Sequence, residues 1–460
     1  MYQIDFQTPQ SIHFIGIGGI SMSGLAEILL DEGFTVSGSD AHKTNLTLHL
    51  EEKGAQIEYG QRASNIHDGI DVVVYTAAIH PDNPEFLAVK EKKIPMLTRA
   101  ELLGEMMQNY RHAVNVSGTH GKTTTTSMLT EVLLAAKKDP TVTVGGILPS
   151  IGGNIRVGGP DLFVTEACEY TNSFLSFFPT MEIILNIEAD HLDFFKDIDD
   201  IRHSFRRFAQ KLDENGCLII NSDIDRLEEI TRGLPCRIVT FGRDASKSSY
   251  SARDISYDKW ARPTYTLLVD GKPEEEVTLG VPGEHNVYNS LSVIAAAREL
   301  GISMEAIKDG LRQFSGTERR FERKGEIGGV TIIDDYAHHP QEIAATLAAA
   351  KNYPHKKLWC VFQPHTYTRT AALTEDFARA LSAADEVVLA DIYAAREVNK
   401  LGVSSNDIAQ RMEKYGKKAH YIPSFDEIET FILENCVPGD LLITMGAGDI
   451  VKVGEKLLGR

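Results

Sequence analysis

The amino-acid sequence predicts an α/β protein of three domains, and three observations lead to this prediction. Patterns typical of buried strands alternate with helical patterns along most of the 460 residues, which indicates parallel sheets covered by helices. Two glycine-rich turns, at 16–24 and 117–124, each follow a strand pattern and open a helical one. A stretch from 249 to 281 is strand-like and rich in turns, with Asp270-Gly271 as a hairpin signal.

The first domain is predicted over residues 1–108 as a Rossmann-like parallel sheet. Strand-like runs lie at 12–17, 34–38, 56–59 and 72–78, with a weaker one at 94–97. Helical patterns lie between them, for example at 22–30 and 46–52. Strands that alternate with helices in this way favour successive βαβ units.

The other two domains are predicted over residues 109–320 and 321–460. The central domain has strand patterns near 113–116, 162–165, 183–187, 218–221 and 238–241, followed by the β-rich section at 249–281. The third block has strand patterns at 330–333, 358–362, 386–390 and 441–444, separated by helices. We expect an α/β domain with an added β-rich section, and then a second Rossmann-like domain.

The loop Ser117-Gly118-Thr119-His120-Gly121-Lys122-Thr123-Thr124 carries the strongest chemical signal in the chain. It ends in Gly-Lys-Thr but is shorter than a standard phosphate-binding loop, because Val116 stands where the first glycine should fall. Glycines let backbone N–H groups approach phosphate oxygens, and the helix N-terminus adds partial positive charge. We therefore predict a P-loop ATPase-like domain that binds ATP. Lys122 would reach the β- and γ-phosphates, and the Thr123 hydroxyl would bind Mg²⁺.

The first glycine turn leaves three interpretations open. Gly16, Gly18 and Gly19 nearly complete a dinucleotide-binding fingerprint, but Ser21 stands at the third glycine. Asp40 ends the next strand, at the distance where an acid would meet a ribose. The turn fits a nicotinamide-dependent dehydrogenase, a nucleotide-sugar site, or tight packing of strand on helix. A second phosphate loop shifts the balance away from a dehydrogenase.

Acidic residues follow two strands of the predicted central sheet. Glu166 and Glu169 come after the strand at 162–165, and Asp190-His191 follows the strand at 183–187. Ligands of open α/β sheets bind beyond the carboxyl ends of strands, where carboxylates can hold the Mg²⁺ of a nucleotide. The alternative is a helix cap at Asp190 and a solvated His191.

Composition excludes several classes of function. A net charge of −18 argues against a general nucleic-acid-binding protein. The five cysteines are scattered and form no C-x-x-C pair, which is typical of reduced thiols in the cytoplasm. The sequence shows no signal-peptide pattern at its start and no apolar run long enough to span a membrane.

Further segments of the chain are similar to motifs of a known family, and they follow one another in the order found in that family. They are Thr165–Glu169, Asn186–Asp193, His285-Asn286-Val287-Tyr288-Asn289, Thr317-Glu318-Arg319-Arg320-Phe321, Asp334–Pro340 and Phe362–Thr370. Together with the short ATP loop they resemble the Mur ligases, the ATP-dependent amino-acid-adding enzymes of bacterial cell-wall synthesis. The resemblance runs from about residue 11 to 450. The third-block segments are similar to those of the branch that adds L-alanine.

The resemblance implies an activity and a set of roles. It implies ATP and Mg²⁺ as cofactors, UDP-N-acetylmuramate and L-alanine as substrates, an acyl-phosphate intermediate, and a cytoplasmic monomer or homodimer. The implied catalytic residues are Lys122, His191, Arg369 and His338. The implied cofactor-binding residues are Gly118, Thr119, His120, Gly121, Lys122, Thr123, Thr124, Asn286, Asn289, Arg320 and Asp334. The implied metal ligands are Thr123, Glu166, Glu169 and His191, and the implied substrate-binding residues are Gly16, Gly18, Gly19, Ser21, Asp40 and Tyr336.

Two other classes of function remain as alternatives. The first is a nicotinamide-dependent oxidoreductase that uses the N-terminal glycine turn. The second is a regulatory nucleotide-binding module without catalysis, against which the combination of Lys122, Glu166 and His191 argues.

Overall fold

The computed structural model describes residues 2–76, 79–192, 194–395 and 397–460. The chain divides into two compact units. The first comprises the residues up to 145 together with Gly153–Phe241 and Ala295–Ile302. The second comprises Gly146–Gly152, Gly242–Ile294 and Ser303–Arg460.

The first unit begins with a five-stranded parallel sheet in the order β3-β2-β1-β4-β5. Its strands are β1 (Ser11–Ile15), β2 (Thr35–Asp40), β3 (Gln56–Tyr59), β4 (Val72–Tyr75) and β5 (Met96–Thr98). Its helices are α1 (Ile20–Asp31), α2 (Asn45–Glu52), α3 (Pro84–Lys92) and α4 (Arg99–Met107). The predicted Rossmann-like sheet is confirmed. Ala77 and Ala78, at the end of the predicted strand 72–78, lie outside the described residues.

A second sheet of the first unit has the order β12-β11-β10-β6-β9-β7-β8. Its strands are β6 (His112–Ser117), β7 (Thr141–Leu148), β8 (Gly153–Arg156), β9 (Leu162–Glu166), β10 (Met181–Ile184), β11 (Cys217–Asn221) and β12 (Arg237–Phe241). Its helices are α5 (Lys122–Ala135), α6 (Ile198–Ala209) and α7 (Leu227–Thr231). β6 pairs in parallel with β9 and β10, with Val116 opposite Glu166 and Ser117 opposite Ile184. The carboxyl ends of these three strands therefore meet at one edge of the sheet.

Two glycines allow close packing between the sequence before residue 108 and the sequence after it. A Cβ atom on Gly24, in α1, would lie 1.4 Å from Cδ1 of Ile155, in β8. A Cβ atom on Gly104, in α4, would lie 2.0 Å from the backbone oxygen of Ser176. One cluster of buried apolar side chains continues across both sheets of this unit.

The second unit contains an antiparallel meander and a six-stranded sheet. The meander is formed by β13 (Tyr250–Tyr257), β14 (Pro263–Val269) and β15 (Lys272–Thr278), which confirms the predicted β-rich section. The helices α8 (Glu284–Glu299) and α9 (Met304–Gln313) follow it in the chain. The predicted hairpin signal Asp270-Gly271 connects β14 to β15.

The six-stranded sheet has the order β16-β17-β21-β18-β19-β20 and is parallel except for β16. Its strands are β16 (Glu322–Ile327), β17 (Val330–Asp335), β18 (Leu358–Phe362), β19 (Glu386–Leu389), β20 (Ala419–Tyr421) and β21 (Leu441–Met445). Its helices are α10 (Pro340–Lys351), α11 (Tyr367–Leu381), α12 (Ser405–Met412), α13 (Phe425–Asn435) and α14 (Val451–Leu457). Apolar clusters on the two faces of this sheet form the core of the third block.

Candidate active site

The predicted ATP loop connects β6 to α5, and hydrogen bonds from one asparagine fix its conformation. Gly118 (φ 136°) and Gly121 (φ 86°) adopt left-handed backbone conformations that favour glycine. The Asn186 side chain accepts a hydrogen bond from the His120 N–H (2.8 Å) and donates one to the His120 carbonyl oxygen (3.1 Å). The Asn186 carbonyl oxygen also accepts from the Thr119 N–H (3.2 Å). These bonds fix the loop at the start of α5, whose first N–H groups have no partner within the helix.

Lys122 is the first residue of α5, and its side chain turns back over the loop. Its ammonium donates to the carbonyl oxygens of Gly118 (2.5 Å) and Thr119 (3.2 Å) and to Oε2 of Glu169 (3.1 Å). Burial favours the neutral amine, but the buried Glu169 carboxylate outweighs burial and raises the pKa of Lys122. A fixed positive charge therefore lies at the mouth of the loop, where phosphate oxygens would approach.

The acids that were predicted as metal ligands lie at the adjacent strand ends. Glu166 ends β9, and its Oε1 accepts from the Gly145 N–H at 2.5 Å. His191 has a left-handed backbone (φ 53°), and its Nε2 lies 3.8 Å from Glu169 Oε1 and 3.8 Å from Asp190 Oδ2. The structure thus brings Lys122, Glu169 and His191 together beyond the carboxyl ends of neighbouring strands.

Whether these residues can hold a metal ion depends on the other ligands that the ion would have. In the described part of the chain, no three His, Cys, Asp or Glu residues are arranged to hold a metal ion. Mg²⁺ usually takes one or two protein oxygens and completes its shell with phosphate oxygens and water. The buried Thr123 hydroxyl and the Glu166 carboxylate suit that role, so this donor set fits Mg²⁺ bound with a nucleotide. Asp193, at the end of the same motif, lies outside the described residues.

The N-terminal glycine turn is shaped by the end of β2. The N–H groups of Gly16 and Ile17 donate to the carbonyl oxygen of Ser39, at 2.8 and 3.0 Å. Oδ2 of Asp40 accepts from the Gly18 N–H at 2.8 Å, and a Cβ atom at Gly18 would meet that oxygen at 2.8 Å. Gly19 is the N-cap of α1, and Ser21 is exposed in its first turn. Asp40 therefore holds the turn through one oxygen, and its direct contact with a ligand stays a prediction.

In the second unit, an arginine joins β17 to the loop after β21. Arg319 donates through Nε to Asp334 (2.9 Å) and through its terminal nitrogens to the carbonyl oxygens of Gly446 (2.7 Å) and Gly448 (3.1 Å). The Thr444 hydroxyl donates to the other oxygen of Asp334 at 2.7 Å. Asp334 is fully buried, and burial raises its pKa although Arg319 opposes the shift. These bonds occupy both Asp334 oxygens, and its predicted contact with the nucleotide stays untested.

A cluster of aromatic, imidazole and guanidinium groups lies beside that arginine. The Arg320 guanidinium lies 5.2 Å from the centre of the Tyr336 ring, and His338 Nδ1 is 3.1 Å from the Tyr336 carbonyl oxygen. Arg369 Nη1 is 3.2 Å from Nδ1 of His365, whose ring centre is 5.8 Å from that of His338. Burial, followed by His338 and Arg369, lowers the pKa of His365 to about 4. Burial also lowers the pKa of His338, so near neutral pH the cluster's positive charge comes from its arginines.

The predicted cofactor-binding amides, Asn286 and Asn289, lie in the first turns of α8. The Asn286 side chain donates to the Pro282 carbonyl oxygen at 2.7 Å and accepts from the Asn289 side chain at 3.1 Å. The Arg243 guanidinium lies 4.4 Å from the centre of the Tyr288 ring, next to these amides.

The predicted residues therefore fall into four groups, two in each compact unit. The ATP loop with its acids and the N-terminal glycine turn belong to the first unit. The amides of α8 and the arginine-imidazole cluster belong to the second. Three contributors were not among the predicted site residues: Asn186, Arg319 and His365. Each lies inside a quoted motif, but only the fold shows which neighbour it holds.

A glycine loop at a strand end, a charged lysine over it and acids at the adjacent strands define an enzyme that binds a nucleotide phosphate. Three family models match the chain: "Mur ligase family, catalytic domain" over residues 11–111, "Mur ligase middle domain" over 116–297, and "Mur ligase, glutamate ligase domain" over 319–448. The chain belongs to the Mur ligase family. It is an ATP-dependent ligase that forms amide bonds, and the alternative of an oxidoreductase is not supported.

Individual relatives match along the whole chain. A UDP-N-acetylmuramate–L-alanine ligase of Lachnospira eligens is 63% identical over 458 residues and covers 100% of both chains. A protein of the same name from Agathobacter rectalis is 61% identical, again over 100% of both chains. Among solved structures, the UDP-N-acetylmuramate–alanine ligase of Thermotoga maritima is 32% identical, with 98% of each chain covered and a TM-score of 0.79. None of the described helices is both long and apolar enough to cross a lipid bilayer.

Proposed function

We propose that this protein joins L-alanine to the carboxylate of UDP-N-acetylmuramate, with ATP as the energy source, in the synthesis of peptidoglycan precursors. The observation that carries the choice of substrates is the name of its relatives, which match the full chain at up to 63% identity. The chemistry of the described groups is consistent with that choice. The first unit has a phosphate loop and a glycine turn suited to a second nucleotide, and the second unit has a cationic cluster suited to a carboxylate.

Membership of the Mur ligase family implies the sequence of the reaction. A carboxylate oxygen of the muramate attacks the γ-phosphorus of ATP, and ADP leaves, so that an acyl phosphate remains. The amine of L-alanine then attacks the carbonyl carbon, and the tetrahedral intermediate expels phosphate and loses a proton to give the amide. Phosphoryl transfer mainly requires positioning and charge neutralisation. Lys122 and the N–H groups of the loop supply both at the β- and γ-phosphates.

Magnesium completes this assignment. Bound with ATP, Mg²⁺ would withdraw charge from the phosphate oxygens. Thr123 and Glu166 are the residues that would hold it, and we assign Glu169 and His191 to a second cation near the acyl phosphate. Because the Glu169 carboxylate binds the Lys122 ammonium, any cation at Glu169 would have to share that carboxylate with the lysine.

The two ends of the muramate substrate and the amino acid need separate sites. We assign the UDP end to Gly16, Gly18, Gly19 and Ser21, where α1 begins after β1. We assign the alanine carboxylate to Arg369, since a guanidinium fork matches a carboxylate. Tyr336 and His338 would line that site, and Asn286, Asn289 and Arg320 would contact ATP.

The cysteines indicate where the protein works. The five cysteines are free thiols, and ATP and UDP-linked sugars are cytoplasmic metabolites, so we place the protein in the cytoplasm. We expect a monomer or a homodimer. Analytical ultracentrifugation would decide between these two states.

Phosphate release with omission of single substrates tests the proposal. The purified protein should release phosphate only when ATP, Mg²⁺, UDP-N-acetylmuramate and L-alanine are all present, with a product heavier by one alanine residue in mass spectrometry. Lys122→Ala should lower kcat by at least about a hundredfold, as loss of a charge-stabilising donor does. Lys138→Ala, an exposed lysine just after the same helix, is the matched control. Phosphate release without product, or product with glycine or serine in preference to alanine, would contradict the proposed substrates.

A further inference from the structure

A fully buried glutamate lies behind the N-terminal glycine turn and belongs to none of the groups described above. Glu85 is in the first turn of α3, and its side chain has no exposed surface. Its Oε2 accepts a hydrogen bond from the Ser39 hydroxyl at 2.5 Å. Its Oε1 accepts one from the Asn65 side-chain amide, also at 2.5 Å. His13 faces the same carboxyl group from β1, with Nε2 at 3.9 Å.

Both of these hydrogen bonds connect Glu85 to the end of β2, where Ser39 and Asp40 bind the glycine turn. Ser39 precedes Asp40, and its carbonyl oxygen accepts the N–H groups of Gly16 and Ile17. Asn65 also donates to the carbonyl oxygen of Gly60, at 3.0 Å. The Gly60 N–H in turn donates to the carbonyl oxygen of Asp40, at 2.9 Å. Glu85 therefore binds Ser39, which precedes Asp40, and is linked through Asn65 and Gly60 to the carbonyl oxygen of Asp40.

A buried carboxylate is costly unless hydrogen bonds compensate for lost water. An apolar residue at position 85 would fill the same space without that cost. The hydrogen bonds that the carboxylate makes therefore explain its presence better than any gain in stability from burying this side chain. Its two oxygens fix Ser39 and Asn65, and through them the direction in which Asp40 and the N–H groups of the turn point.

We infer that Glu85 is a positioning residue for binding of the nucleotide end of the muramate substrate at the glycine turn. This inference rests on the proposed function, which assigns the UDP end to that turn. Glu85 does not touch the ligand. It holds Ser39 and Asn65 so that Gly16, Gly18 and Asp40 are already arranged when the diphosphate arrives, and substrate affinity is gained from this prior order.

Glu85→Gln is the test, because the amide keeps the size of the carboxyl group but offers one acceptor oxygen in place of two. The two hydrogen bonds to a charged carboxylate become weaker bonds to a neutral amide, whose nitrogen has to donate to the Ser39 hydroxyl while its oxygen accepts from Asn65. We expect KM for UDP-N-acetylmuramate to rise about tenfold, as expected when hydrogen bonds to a charged group are replaced by neutral ones. We expect KM for ATP, KM for L-alanine and kcat to stay within about twofold, since the ATP loop is unaltered.

Two further variants separate positioning from folding. Glu105→Gln changes another buried glutamate of the same domain, which binds Gln108 and none of the turn, and it should leave KM for UDP-N-acetylmuramate unchanged. Ser39→Ala removes only the hydroxyl that Glu85 binds and should raise that KM in the same direction. If Glu85→Gln does not fold, Ser39→Ala decides the matter.

The outcomes distinguish this inference from the proposed function. The wild-type assay comes first, and a protein that forms no product from UDP-N-acetylmuramate would refute the proposed function. An active wild type with a lower kcat but unchanged KM values in Glu85→Gln and Ser39→Ala would overturn the positioning role alone. A selective rise of one KM in both variants, with circular dichroism spectra like that of the wild type, would support it.

Discussion

The stability of this protein should depend on pH through Glu182, a buried acid in the middle of β10. The side chain is fully buried and stands opposite Asn115 of β6 in the parallel ladder. Neither carboxyl oxygen has a partner with hydrogen-bonding geometry among the described residues. The nearby Ser117 hydroxyl donates to the Ile183 carbonyl oxygen at 3.0 Å. Burial therefore raises the pKa of Glu182 well above its ordinary value, although Ser117 opposes the shift.

The sign and size of the effect follow from proton linkage. Below pH 4 both the folded and the unfolded states carry the proton, so Glu182 contributes no pH dependence. As pH rises, the unfolded chain loses its proton while the folded protein keeps it, and the free energy of unfolding falls. The decrease is about 1.4 kcal/mol for each pH unit over which this difference persists. Glu182→Gln removes the titrating group and with it this decrease.

Urea denaturation of the wild type and of Glu182→Gln at pH 5, 6 and 7 measures this difference. We expect the stability of the variant relative to the wild type to increase from pH 5 to pH 7, by at most about 1.4 kcal/mol for each pH unit. The exposed Glu214→Gln should show a difference below about 0.5 kcal/mol at every pH. A difference between Glu182→Gln and wild type that does not change with pH would refute the reasoning. A wild type that becomes relatively more stable at higher pH would mean that Glu182 is ionised and paired.

Three further predictions concern the loop, the packing and the imidazole cluster. Asn186→Ala removes both side-chain bonds to the His120 backbone, so KM for ATP should rise about tenfold in steady-state assays; an unchanged KM would contradict the loop-holding role. Gly104→Ala places a methyl group against a backbone carbonyl oxygen and should lower stability by about 1–3 kcal/mol in urea, whereas Gly153→Ala, where the nearest atom is 4.0 Å away, should not. The His365 imidazole should stay neutral down to about pH 5 in an NMR titration, because its pKa is about 4; a midpoint near 6.5 would show that it is solvated.

Much of the architecture could be predicted from the sequence because apolar residues recur with different periods in strands and in helices. Each of the five strands of the first sheet, and each of the strands β9 to β12, overlaps a run that the sequence predicts as a strand. β16 could not be predicted in this way. Its sequence Glu-Arg-Lys-Gly-Glu-Ile is polar, and it is a strand because it pairs with β17 at the edge of the sheet. Long-range pairing of this kind leaves no local pattern.

The candidate site was predictable as residue types but not as a network. Lys122 follows from Gly-Lys-Thr at a strand end, and Glu169 from its place after the neighbouring strand. The bond between their side chains follows only from the order of β6, β9 and β10 in the sheet. Asp40 shows the same limit. The spacing indicated an acid that could contact a ribose, whereas the structure shows its carboxylate on the Gly18 N–H.

The two glycines that admit Ile155 and Ser176 have a consequence for recombining members of this family. A chimera that takes residues 1–108 from one relative and the rest from another would cut through a continuous apolar core. An alanine at either glycine in the donor sequence would collide with the recipient. Exchange as one piece through residue 241 keeps both interlocking surfaces intact. Both sheets of the first unit should therefore come from the same parent protein. A library of hybrids should place its first crossover after β12.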